Sequence, residues 1–313
     1  MTARAIPAAA GPAAGVGGGR QVPPLALLVA TGTVVGAMLP LARLAHEAGV
    51  PPLALAFWQA LGAGAALAAV AGPASLLRRP GGAVVRFGLV AGLLGIAVPN
   101  ALVAAAVTRL GAGLPAVAYA LPPLMTWLLS VALRMEPFDR RRGVGIAVAV
   151  LGCATILLPG NAAVPPGQGL WLGAILAIPA SLALGNIYRS RAWPVGESPT
   201  TLGAATLLGA AAWLLPAMLL GGQGWIPRAS GGVAVGIVAA QAGVTAFAYA
   251  VGLVLQRRAG PTYYSQLGFV VVLTGLAAGV VLFGERHGVA VWAGVLTLLV
   301  GAALARRRRD PAG

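Results

Sequence analysis

Apolar positions in this chain run on in stretches of about twenty residues, interrupted by charges and by clusters of glycine and proline. A helix that rises 1.5 Å per residue needs about 20 apolar residues to cross a bilayer. Cut at those interruptions, the sequence predicts ten spans: 23–42, 51–71, 87–107, 112–133, 143–159, 168–188, 200–220, 232–256, 261–283 and 288–305. The expected fold is an all-α polytopic membrane protein.

Composition supports lipid as the solvent. Hydrophobic residues make up 59% of the 313 and charged ones 9%, and the mean hydropathy is +0.89. That is too little polar surface to coat a soluble globule of this length. Residues 1–22 hold Ala, Gly, Pro and two arginines without a compact apolar core, so they read as a disordered cytoplasmic tail and not as a secretory signal. Cys153 lies in an apolar run and reads as a small buried hydrophobe, with no disulfide or thiolate metal site on offer.

The net charge of +15 comes from 21 cationic residues, all of them arginine. In a soluble protein it would suggest nucleic acid as a partner, but the arginines lie where a membrane protein needs them. With the N-terminus inside, seventeen of the 21 fall in cytoplasmic connections or tails, and only Arg43, Arg109, Arg228 and Arg286 fall outside. The positive-inside rule then places both termini in the cytoplasm of a bacterial inner membrane. Arg306 to Arg309, in the basic tail 306–313, act as a topological anchor. The expected partners are membrane lipids and a small-molecule substrate, with no nucleic acid.

A pattern recurs in the two halves. In "RMEPFDRRRGVGIAVAVLGC" Glu136 is followed by Gly145 and Gly152; in "FGERHGVAVWAGVLTLLVGA" Glu285 is followed by Gly294 and Gly301 at the same intervals. Five spans per half is an odd number, so the copies face opposite sides of the membrane. This predicts an inverted-topology repeat, residues 23–160 and 161–305. Glycines seven apart share a helix face and let a neighbouring helix approach. The same reading gives Gly88/Gly92, Gly232/Gly236 and Gly275/Gly279 a weaker packing role.

With these features the chain resembles EamA-type exporters of the drug/metabolite transporter superfamily. "PPLALAFWQALGAGAAL" (51–67) is similar to the family's second helix, "TRLGAGLPAVAYALPPLMTWLLSVALRMEP" (108–137) to its fourth helix and the connection before it, and "VTAFAYAVGLVLQRRAG" (244–260) to its eighth. The resemblance implies a cavity lined mainly by helices one, three, four, six, eight and nine. The chain departs from the family at Gln59, where many relatives carry arginine, and at Val271 or Val272, where proline is frequent.

Polar residues within the spans are the candidate cavity lining. Gln241, Thr245 and Tyr249 are spaced four apart on one face of helix eight. Asn100 follows Pro99, Thr31 and Thr33 lie within helix one, Ser181 follows Pro179, and Tyr119 stands one turn above Pro123. Pro122 and Pro123 cannot donate to the carbonyls of Ala118 and Tyr119, which leaves acceptors free within the membrane. Thr, Ser and Asn in such helices also bond their own backbone or a neighbour without binding anything else. Trp58 and Gln59 on helix two read as packing or gating residues, as do Gly145, Gly152, Gly294 and Gly301. Tyr263, Tyr264 and Trp193 read as interfacial aromatics.

All six acidic residues and both histidines fall in connections or tails, which leaves the spans without a fixed charge. A neutral or zwitterionic metabolite such as an amino acid is therefore the expected cargo, exported without a nucleotide or other cofactor. The chain has no lysine and so no phosphate-binding loop. His46 and His287 have no metal-ligand spacing around them, so an enzyme is not expected. A lipid flippase or a non-transporting scaffold is the alternative, and monomer or homodimer is left open.

Overall fold

The computed structural model describes residues 22–72, 81–110, 118–157, 169–224, 231–284 and 286–305. Both tails and Glu285 lie outside these residues. Every regular element among them is helical. Six stretches are long and apolar enough to cross a membrane: Pro24–Glu47, Pro52–Val70, Gly82–Ala105, Pro199–Leu220, Gly232–Ala259 and Pro261–Leu282. Two more apolar helices, Pro122–Ala132 and Val289–Leu304, are shorter.

The first stretch is broken into α1 (Pro24–Gly36) and α2 (Met38–Glu47), and α3 (Pro52–Val70) follows. Next, α4 (Gly82–Gly92) runs through a π-helical turn, Leu93–Ala97, into α5 (Val98–Leu110). The fourth predicted span does not continue through its prolines. Pro122 and Pro123 open α6 (Pro122–Ala132) instead, because the first turn of a helix is where proline's missing N–H costs nothing. Of the two carbonyls expected to be free, that of Ala118 accepts the Leu121 N–H at 3.3 Å.

α7 (Arg140–Leu157) closes the first half, and the second half opens with α8 (Gly169–Arg191), α9 (Pro199–Leu220) and α10 (Gly232–Ala259). Gly260, at φ +83°, turns the chain into the short α11 (Pro261–Ser265), followed by α12 (Leu267–Phe283) and α13 (Val289–Leu304).

Helices from the two halves interleave. α1 packs on α10 and α12, and α8 packs on α5, α6 and the π-turn. α3 and α9 face each other, as do α7 and α13. Lipid is as apolar as the helix sides, so close approach at small residues holds such contacts together. A Cβ on Gly294 would come 2.9 Å from the Gly152 carbonyl, and one on Gly301 2.7 Å from that of Gly145. The four glycines of the repeated pattern thus form one seam between α7 and α13, with Cys153 buried in the same cluster. Gly88 and Gly92 likewise meet the backbone of α9, whereas Gly236 faces open space.

Candidate functional site

The polar groups within the protein concentrate where α6, α8, α10 and α11 meet. α8 continues past Tyr188, the predicted end of its span, and this draws Arg189 into the interior at 3% exposure. The expectation that every arginine sits in a solvated connection fails here, and so does that of spans without a fixed charge. Without Arg189 the cytoplasmic tally falls from seventeen to sixteen, against the same four outside.

Arg189 Nε donates to Gln256 Oε1 at 3.0 Å, and Nη2 donates to Asn186 Oδ1. Gln256 Nε2 donates in turn to the Asn186 carbonyl at 2.8 Å and to Ser190 Oγ at 3.0 Å. Asn186 Nδ2 reaches Thr126 Oγ1 at 3.3 Å. One turn further along α6, Ser130 Oγ accepts from Thr262 Oγ1 at 3.2 Å. The guanidinium carbon lies 5.4 Å from the centre of the Tyr264 ring, a cation–π distance. That ring lies against α10 because residue 252 is glycine: a Cβ there would come 3.1 Å from Tyr264 Cε2 and 3.4 Å from Thr31 Cγ2. Tyr264 is therefore half-buried against α10.

The π-turn completes the surroundings. A π-turn widens the helix, and such turns recur at functional sites. Its Leu94 carbonyl accepts from Ser181 Oγ and its Ile96 carbonyl from Asn100 Nδ2, both at 2.8 Å. Both predicted residues thus spend a donor on that turn. Gly95, at its centre, is where Arg189 comes closest: a Cβ would stand 2.7 Å from Nη1.

The other predicted residues spread more widely. Gln241 and Thr245 are buried on one face of α10, but the Thr245 hydroxyl donates to the Gln241 carbonyl of its own helix at 2.7 Å. Gln241 Nε2 reaches the Met38 carbonyl at 3.4 Å, at the break between α1 and α2, while its Oε1 and the Thr31 hydroxyl are buried without a partner among the described residues. Tyr249 packs with Leu202 and Leu253 and lies within electrostatic reach of Arg189 and Tyr264. Thr33 is exposed on α1. Tyr119 is 38% exposed and Pro123 is buried. Trp58 packs edge-on to Phe57 at 5.0 Å between ring centres, and Gln59 is half-buried beside it on α3.

A cavity of about 290 Å³ opens at the turn between α10 and α11, lined by Met135, Glu136, Arg142, Arg258, Gly260 and Tyr263 among others. Glu136 pairs there with Arg142, both side chains largely buried, and Asp139 Oδ1 accepts the Arg142 N–H at 3.2 Å as the cap of α7. No group of three metal-ligating side chains exists among the described residues.

The family model described as "EamA-like transporter family" matches residues 23–158. Residues 23–158 belong to the EamA-like transporter family. Over residues 23–158 the chain is similar to EamA-type members of the drug/metabolite transporter superfamily, and this match together with its apolar helices marks an integral membrane protein. The EamA match ends within the first half. The fold likeness extends further: a crystal structure described only as "Crystal structure of protein" is 20% identical with a TM-score of 0.69, covering 90% of this chain and 96% of its own. None of the curated proteins matches.

Asn186, Arg189, Gln256, Thr126 and Ser130 were not among the predicted site residues. The signal was present: Asn186, Arg189 and Ser190 lie three and four residues apart on the last turns of α8, and Thr126 and Ser130 four apart on α6. Ending the sixth span at residue 188 split that stripe.

Proposed function

We propose that this EamA-type protein is a secondary transporter that exports small neutral or zwitterionic metabolites, amino acids among them. It works by alternating access between two inverted five-span repeats, residues 23–160 and 161–305, with both termini in the cytoplasm. The observation that carries this reading is the exchange of helix partners. Each half lends its first helical segment to the third and fourth segments of the other: α1 to α10 and α12, and α8 to α5 and α6. Of the other large contacts, α3 with α9 and α7 with α13 join equivalent positions of the two halves, while α4 with α9 and α3 with α10 pair the second and third segments crosswise. Such a pattern is what an internal two-fold relation would produce, which supports the repeat reading, and repeat-built transporters place their sites at such interfaces. The polar cluster around Arg189 lies there.

The test is uptake of a labelled amino-acid panel into proteoliposomes holding the purified chain, with and without a pH gradient. Saturable flux that ignores the gradient is the expected result, since among the described residues no carboxylate lies buried within a helix and Glu136 is held by Arg142. Accumulation driven by the gradient would replace facilitated diffusion with proton coupling. Absence of flux for every solute, from protein that scrambles labelled lipid instead, would overturn the reading in favour of a lipid flippase.

A further inference from the structure

We infer that Arg189 is the receptor for a carboxylate on the transported molecule, so that the cargo is an amphiphilic monocarboxylate. This inference rests on the transporter reading for its biological meaning, but not for its physical basis. A guanidinium carries its charge at every relevant pH and presents five N–H donors in a flat fork. At Arg189 the protein takes up Nε and one hydrogen of Nη2, and both acceptors are neutral amides. Nη1 has no hydrogen-bond partner among the described residues. The other largely buried arginine, Arg142, has Glu136 beside it, whereas no described carboxylate pairs with Arg189. A buried charge without a counter-ion is costly and in membrane proteins marks a path or a site.

The surroundings narrow the ligand. Because residue 95 is glycine, Nη1 can lie against the π-turn, and with no protein acceptor among the described residues it retains donors for a bidentate acceptor. A flat carboxylate matches that fork. A doubly charged phosphate would need a second cation, and the nearby candidates are committed elsewhere: Arg142 to Glu136, and Arg257 over the Trp193 ring at 5.4 Å. Tyr264, Gly252 and the Thr31 methyl provide an apolar wall on the α1 and α10 side. One positive charge next to aromatic and aliphatic surface selects a monoanionic group on an apolar body.

The experiment uses the purified full-length protein and two pairs of probes that differ only in the acid group: leucine with leucinamide, and isocaproate with isocaproamide. Thermal unfolding in detergent is recorded across a range of each probe, with sodium chloride at matched ionic strength as the inorganic control. The acids are expected to stabilise the protein at concentrations at least about tenfold below the amides, the scale of one charge-assisted hydrogen-bonded pair. Arg189→Gln should abolish that preference and Arg189→Lys should keep part of it. Gly95→Ala, which crowds Nη1 without altering charge, should weaken it several-fold. If Arg189→Gln fails to fold, the Gly95→Ala and Arg189→Lys results decide.

Equal stabilisation by acid and amide, no stabilisation by either acid, or an undiminished preference in the variants would each overturn the inference. An Arg189-dependent response to chloride equal to that of the acids would also overturn it, by making the site one for inorganic anions. Flux separates the two readings. Acid-selective binding without transport keeps the site and removes the transporter, while transport that treats acid and amide alike keeps the transporter and removes the site.

Discussion

Thr245 and Gln241 share a face of α10 yet have different relations to their surroundings. The Thr245 hydroxyl is bonded to its own helix, so Thr245→Val should leave substrate flux within about twofold of the parent, the cost being that of one local hydrogen bond. Gln241 holds the α1–α2 break through Met38 and keeps an unpartnered oxygen; Gln241→Leu should cut flux at unchanged protein yield, measured in the same vesicles. Glu136 gives a stability test. Its carboxylate is the partner of the buried Arg142, and Glu136→Gln should lower stability by about 3–5 kcal/mol, read as a fall in the unfolding temperature, with much of it regained on also replacing Arg142 by methionine. At this scale the sequence was a partial guide. It picked out Gln241, Asn100 and Ser181 because polar residues are scarce in apolar runs, and it missed Arg189 because a charge was itself taken as the end of a helix. Whether an arginine near a boundary is solvated or drawn inward depends on Gln256 and Asn186, from two different helices, and a one-dimensional pattern does not bring these together.

Helices were easier to find than their ends and interruptions. In lipid a helix has no wet face to produce a strong period, so length and charge are the main cues, and these missed the break at Ala37, the π-turn at Leu93–Ala97 and the start of α6 at Pro122. Proline gave a signal at the last of these, which was read as freeing two carbonyls within one span instead of as a beginning. Glycine spacing was more informative, because the repeated interval was set by a helix-to-helix contact. Gly301→Ala inserts a methyl between α13 and the backbone of α7 near Ala149 and Gly145 and should lower stability by about 1–3 kcal/mol, the range for overpacking. Gly236→Ala, with nothing within 4 Å of the added carbon, should be neutral or stabilise by up to about 1 kcal/mol, since glycine is the poorer helix former. Thermal unfolding of the two variants side by side checks both signs.

For the molecule as a whole, a repeat of spacing was visible in the sequence, but the interleaving of helices was not, because nothing in a spacing says which helix touches which. Orientation is open to a direct check. In a Cys153→Ala background, a cysteine at Glu47 should react with an impermeant maleimide on intact cells, and one at Glu197 only after permeabilisation; equal labelling would refute the assigned topology. The swapped helices have a mechanical consequence. Ser181 fastens α8 to the π-turn, and Asn186 fastens it to α6, while α1 sits in a cleft between α10 and α12 where Gly32 and Gly36 meet Val270 and Thr274. On the proposed rocking mechanism α8 would travel with the helices encoded before it and α1 with those encoded well after it, so the bonds that must open are those from α8 to Gln256 of α10. A clamp between α8 and α6 would then leave the machine running, and one that fixed α8 to Gln256 would stall it.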